Sequence, residues 1–95
     1  RTEGNMELPK VTVSQNFPSP FSNETHFNIN LLEKSEVDVS VFNTAGQLIK
    51  TFDFGTLGNG PHQITLQFQN LNDGVYFFCL RAGMTSVNGK LVVKN

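Results

Sequence analysis

Ninety-five residues make one domain, and a chain of that size buries about 60–65% of the surface its unfolded form exposes, room for one modest core. Nine Phe and one Tyr, with no Trp, supply the rings of that core, each stabilising by about 1.5–3 kcal/mol when fully buried. Seven basic and eight acidic residues give a net charge of −1, which argues against nucleic acid because phosphate binding needs clustered Lys and Arg.

No apolar run approaches the ~20 residues of a membrane-spanning helix. The amino end, Arg1-Thr2-Glu3-Gly4-Asn5, lacks the basic-then-apolar plan of a secretory signal. Cys79 stands alone, so an internal disulfide is not available.

Residues 1–10 are polar, with Gly4 and Pro9, and read as a linker from a preceding domain. Val11-Thr12-Val13 is expected to form a short edge strand. Gln15-Asn16-Phe17-Pro18-Ser19-Pro20-Phe21 carries prolines at alternate positions, which remove backbone donors and bar it from a central strand. It is expected to run extended or polyproline-like, with Phe17 and Phe21 anchored in the core.

From Thr25 the pattern has period two: Thr25, Phe27, Ile29 and Leu31 alternate with His26, Asn28 and Asn30, a strand with one face buried. A turn at Glu33-Lys34-Ser35 leads to Val37, Val39 and Val41. Asn43-Thr44-Ala45-Gly46 is a turn signal, and Gln47 to Phe52 returns. Gly55 to Pro61 reads as a flexible hairpin loop. Ile64, Leu66 and Phe68 alternate again, and Asn72-Asp73-Gly74 turns the chain.

Val75 to Leu80 is apolar on both faces, as in the middle of a sheet. Ala82-Gly83 is a turn, and Val87 to Lys94 is the last strand, with Asn88-Gly89 either a bulge within it or a tight hairpin. About seven short antiparallel strands at regular spacing, with no helical window, predict an all-β, immunoglobulin-like sandwich over residues 11–95. Tyr76 follows Gly74-Val75 at a strand start, where a tyrosine corner would sit, but the cysteine pair and Trp of antibody domains are missing.

Catalytic and metal constellations are absent from the pattern. His26 lies at an outward strand position and His62 in a loop after Gly60-Pro61, and the pattern gives neither a nucleophile and carboxylate in a triad-like plan. One Cys and two distant His give no zinc spacing. Glu33, Glu36 and Asp38 cluster at a turn without the glycine of a calcium loop. No cofactor is implied. Asn23-Glu24-Thr25 is a formal glycosylation sequon. Cys79 reads as a small, partly buried side chain, with Arg81 its nearest basic neighbour on the same face.

Three stretches taken in order resemble a known family. Gln15-Asn16-Phe17-Pro18-Ser19-Pro20-Phe21-Ser22 is similar to its opening motif, with Ser19 in place of the usual Asn. Val39 to Ile49, around Gly46, resembles its strand-turn-strand block. Leu71-Asn72-Asp73-Gly74-Val75-Tyr76-Phe77 and Gly83, followed by Lys90-Leu91-Val92-Val93-Lys94, resemble its closing block. The family is the C-terminal sorting domain of the type IX (Por) secretion system of Bacteroidetes. The Trp-Asp-Gly often found mid-domain is missing, and Cys79 stands where a basic residue is common.

The resemblance implies a non-catalytic signal that directs an attached cargo through the periplasm and across the outer membrane to the cell surface or the medium. A sortase-like peptidase would then remove the domain by cleavage before Gln15. The position and pattern of the last strand lead to the expectation that the secretion machinery recognises Gly83, Lys90, Leu91, Val92, Val93 and Lys94. The resemblance gives a structural role to Phe17, Pro18, Pro20, Phe21, Gly46, Gly74 and Tyr76. A last strand at a sheet edge could accept an added strand from a partner, or from a second copy in an edge-strand dimer. A retained carbohydrate-binding or adhesive module is the alternative, using Phe52, Phe54 or Phe77 as stacking surfaces. A plain spacer module is a further rival.

Overall fold

The computed structural model describes residues 11–95, so the expected linker at residues 1–10 lies outside the described residues. Seven strands are present among them, and no helix. β1 (Val11–Val13), β2 (Glu24–Leu31) and β5 (Gly60–Gln67) form one sheet in the order β1-β2-β5. β3 (Ser35–Phe42), β4 (Leu48–Leu57), β6 (Gly74–Ala82) and β7 (Thr85–Val93) form the other in the order β4-β3-β6-β7. Every strand pair is antiparallel. The expected all-β, seven-stranded sandwich is what the chain forms.

Period-two alternation makes the two layers adhere. Thr25, Phe27, Ile29 and Leu31 of β2 face Val37, Val39 and Val41 of β3 and Tyr76, Phe78, Leu80 and Ala82 of β6, all buried. Phe27 and Phe78 meet between the sheets with ring centroids 4.8 Å apart, a tilted contact that adds about 0.5–1.5 kcal/mol to the area buried. β6 lies between β3 and β7, the central position its doubly apolar run predicts, although its outward residues Val75 and Phe77 remain exposed.

The turn at Asn43 forms as its residues dictate. The Asn43 side-chain oxygen accepts hydrogen bonds from the backbone N–H groups of Ala45 and Gln47, both at 3.0 Å. Gly46 takes φ +83°, a left-handed conformation that a Cβ disfavours.

Two expectations are corrected. Gly55 to Pro61 is not a hairpin loop. Gly55–Leu57 continues β4 and Gly60–Pro61 begins β5, so only Gly58 and Asn59 connect them. β4 and β5 belong to opposite sheets, so the connection crosses the sandwich. His62 accordingly lies within β5 and contacts the Gly58 carbonyl oxygen at 2.7 Å.

Asn88-Gly89 is neither a bulge nor a hairpin. β7 pairs with β6 without a break from Thr85 opposite Ala82 to Val93 opposite Gly74. Gly89 is there for space. A Cβ at this position would stand 2.7–2.8 Å from the Phe78 ring, so the ring fills the volume a side chain would take. Glycine in a strand marks close approach as readily as a bulge.

Candidate recognition surface

The opening motif becomes a strap joining the two sheets. Its start is tied to β2, where the Phe17 N–H donates to the His26 carbonyl at 2.9 Å and the His26 N–H returns to Phe17 at 2.8 Å. Asn16 is buried and donates from Nδ2 to Thr25 Oγ1 at 3.0 Å and to the Pro18 carbonyl at 3.4 Å. The Thr25 hydroxyl donates to the same Pro18 carbonyl at 3.0 Å. Buried polar groups that satisfy one another in this way specify a path, because leaving one unpaired costs about 1–3 kcal/mol.

The far end of the strap reaches β7. The Phe21 N–H donates to the Val92 carbonyl at 3.1 Å, and the Lys94 N–H donates to the Phe21 carbonyl at 2.8 Å, a parallel bridge to Val93. The Phe21 ring is 3% exposed and lies 5.8 Å from that of Phe68. Phe17 corrects the expectation of a second anchor. It is 40% exposed and rests on the His26 ring at 5.5 Å. Its strand-like backbone pairing directs the side chain outward. Nor does the strap run extended, since the chain bends through Pro18, Ser19 and Pro20.

The closing block forms the edge of the four-stranded sheet. Leu91 and Val93 point into the core, and Lys90, Val92 and Lys94 point out. Gly83 occupies the turn between β6 and β7 with φ +62°. The next residue, Met84, does not share that sign, as in a II′ hairpin turn, which calls for glycine at its first central position. Tyr76 is a tyrosine corner. Its hydroxyl donates to the Asn72 carbonyl at 2.8 Å, which satisfies the phenol as the ring is buried. Gly74 begins β6 and pairs with Val93.

The chain end is held as well. The Asn95 N–H and Nδ2 both donate to Asp73 Oδ1 at 2.8 Å, and Nδ2 donates to the Leu71 carbonyl at 2.9 Å. Sequence reasoning missed this tie and the Asn16–Thr25 contact. Both join residues distant in sequence, and neither leaves a periodic trace. The Asp73 of a turn signal was the only mark that could have pointed to the first.

His26 contacts Thr65 Oγ1 through Nδ1 at 2.9 Å and Glu24 Oε2 through Nε2 at 3.2 Å. Among the described residues no group of three or more His, Cys, Asp or Glu could hold a metal ion, and no helix is long and apolar enough to cross a membrane. Arg81 donates to both carboxylate oxygens of Asp38 at 3.1 and 3.2 Å. Those hydrogen bonds, with the charge of Asp38, hold the guanidinium above its ordinary pKa. The pair is exposed, and solvent screening leaves such pairs contributing little to stability. Cys79 is partly buried on the outer face, opposite Ser40 and Asn88. Of the aromatics considered for sugar stacking, Phe52 and Phe54 pack partly against the core and only Phe77 is exposed.

Solved structures similar to the chain share its fold. The CARDB domain of a Pyrococcus furiosus protein, in complex with di-metal ions, aligns with a TM-score of 0.54 at 16% identity, over 98% of this chain and 95% of that one. CopC from Methylosinus trichosporium OB3b aligns with a TM-score of 0.54 at 18% identity, over 88% of this chain and 93% of that one. The alkylpurine DNA glycosylase AlkC of Pseudomonas fluorescens, bound to DNA containing an abasic site analog, aligns with a TM-score of 0.54 at 12% identity, over 92% of this chain and 31% of that one. At these identities the likeness extends to the immunoglobulin-like sandwich and no further. No curated protein matches the sequence significantly. The family profile described as the secretion system C-terminal sorting domain matches residues 15–94, from the first residue of the strap to the last exposed lysine, and the chain belongs to that family, the C-terminal sorting domains of type IX secretion.

Proposed function

We propose that this domain is read in its folded form, at its closing block, by the type IX machinery, and is then cut from its cargo. The machinery contacts the hairpin turn at Gly83 and the terminal strand Lys90-Leu91-Val92-Val93-Lys94. A sortase-like peptidase cleaves before Gln15, within the polar segment that joins the domain to its cargo. The cargo passes through the periplasm and ends at the cell surface or in the medium. The domain itself performs no chemistry.

One observation carries this reading. The first and last of the three sequence blocks that mark the family are far apart in the chain, yet they meet at the bridge between Phe21 and Val93. A strap that clamps the final strand fits a partner that reads the conformation of that strand. Short linear signals need no such clamp.

The test uses a reporter cargo carrying the full chain at its carboxyl end in a cell with the secretion system. Export of the reporter is expected with the intact chain and is lost when Lys90 to Asn95 are deleted. Equal export of both forms would overturn the reading. Mass spectrometry of the exported reporter checks the processing step, with an expected terminus between the cargo and Gln15. Recovery of the reporter with the domain still attached would remove the peptidase from the proposal.

A further inference from the structure

The last strand has a backbone edge that is open along only part of its length. The carbonyl of Val92 and the N–H of Lys94 point away from β6, because both are bonded to Phe21. In an antiparallel strand alternate residues turn both backbone groups to the same side. Ser86, Asn88 and Lys90 therefore point their N–H and C=O groups outward with Val92. Among the described residues nothing is bonded to the outward backbone groups of those three. The hairpin at Gly83 bounds this stretch on one side and the Phe21 bridge bounds it on the other. From Ser86 to Lys90 it is about 13 Å long at 3.3 Å per residue.

The outer face beside this edge is apolar at the end nearest Phe21. Phe42 of β3 stands opposite Phe77 of β6, and Phe77 stands opposite Lys90. Phe77 is 42% exposed and Val75 and Val92 are similarly open. A shallow hollow of about 360 Å³ lies among Phe42, Phe77, Cys79, Asn88 and Lys90. Lys90 is exposed and has no ion pair among the described residues.

We infer that the stretch Ser86–Lys90 of β7 is a slot for one short extended polypeptide segment of the secretion machinery, which adds as a further strand. This deepens the sorting reading and rests on it. About five residues fit, since the hairpin and the strap close both ends. The incoming strand presents an acidic residue beside Lys90 and an apolar residue toward Phe77 and Val92. Affinity comes from backbone hydrogen bonds, and selectivity comes from the alternate side chains. The strap then has a second role: it shortens the edge, so a long strand or an aggregating chain finds no template.

Proline at Asn88 tests the slot. Asn88→Pro removes an outward N–H while leaving the ladder to β6 intact, and edge strands tolerate this. In the reporter assay with the full chain, export is expected to fall about tenfold, with the melting temperature within about 4 °C of the parent. Asn88→Ala, which keeps the N–H, is expected to export normally. Lys90→Glu keeps the backbone and reverses the charge, and is expected to lower export as well. Normal export by both Asn88→Pro and Lys90→Glu would overturn the slot. An equal loss with Asn88→Ala would also overturn it, by moving recognition to the side chain. A wild-type dimer that becomes monomeric in Asn88→Pro with unchanged export would assign the edge to a second copy instead. If deletion of Lys90 to Asn95 leaves export intact, the sorting reading itself fails, an outcome separate from failure of the slot alone.

Discussion

The four-stranded sheet has two edge strands, β4 and β7, and they are built differently. β4, on one side, is ten residues long and exposes Leu48, 57% accessible, and Ile49. By length and composition it is the more inviting template. Its pairing with β3 shifts register twice, between Val37 and Asp38 and between Val41 and Phe42. Such irregularities bend and twist a strand and spoil it as a partner for another. β7, on the other side, pairs with β6 in unbroken register. It is protected instead by covering one end with the Phe21 strap and by flanking lysines. Distortion closes an edge everywhere, whereas a strap closes it up to a chosen residue. A domain that must refuse most partners and accept one needs the second device.

The largest effect expected on this contrast comes from Phe21→Ala. The ring is buried and its removal leaves a cavity, so a loss of about 3–5 kcal/mol is expected. Thermal unfolding would check it, at about 4–8 °C per kcal/mol for a domain of this size. Hydrogen exchange at Lys94 should accelerate in the same variant, because its N–H loses a stable acceptor. Unchanged protection there would mean that the strap does not clamp β7.

Gly89→Val attacks the unbroken pairing of β7 with β6. Its side chain would collide with the Phe78 ring, and overpacking of this kind costs about 1–3 kcal/mol. A melting curve like that of the parent would show that the ring has free volume to retreat into.

Asp73→Ala frees the end of the chain by removing the acceptor of two Asn95 hydrogen bonds. The groups are exposed, so about 0.5–1.5 kcal/mol is expected at most, with faster exchange at Asn95 and Lys94. Loss of stability without any change in exchange at the chain end would break the link to β7.

The smallest effect belongs to the other side. Leu48→Lys replaces an exposed residue of β4, and stability should stay within about 0.5 kcal/mol of the parent. Export should also remain normal. Reduced export with a normal melting temperature would shift recognition from β7 to β4 and reverse the comparison.

Alternation made most of the sheet legible. The inward residues of β2, β3 and β6 follow from period two, and Asn43 and Gly46 announce their turn. The central position of β6 was readable because a strand with no polar face needs neighbours. Gly58-Asn59 was not readable, because the same glycines suit a hairpin and a crossing between sheets, and the choice depends on which strand β5 finds as its partner. Gly89 failed for a related reason. A glycine in a strand states that a side chain is unwelcome, and only the position of Phe78 says why.

The candidate surface divides in the same way. Sequence alone determined the family, the all-β sandwich, the tyrosine corner at Tyr76 and the presence of a final strand flanked by lysines, because these depend on local pattern and short motifs. Tertiary structure decided that the Phe21 backbone bridges to β7 while Phe17 faces outward, that Asp73 holds Asn95, and that the outward backbone groups left unbonded among the described residues of the last strand lie at Ser86 to Lys90 instead of its very end. Those facts depend on contacts between segments remote in sequence, where backbone groups and buried rings select partners by geometry and leave no periodic mark in the chain.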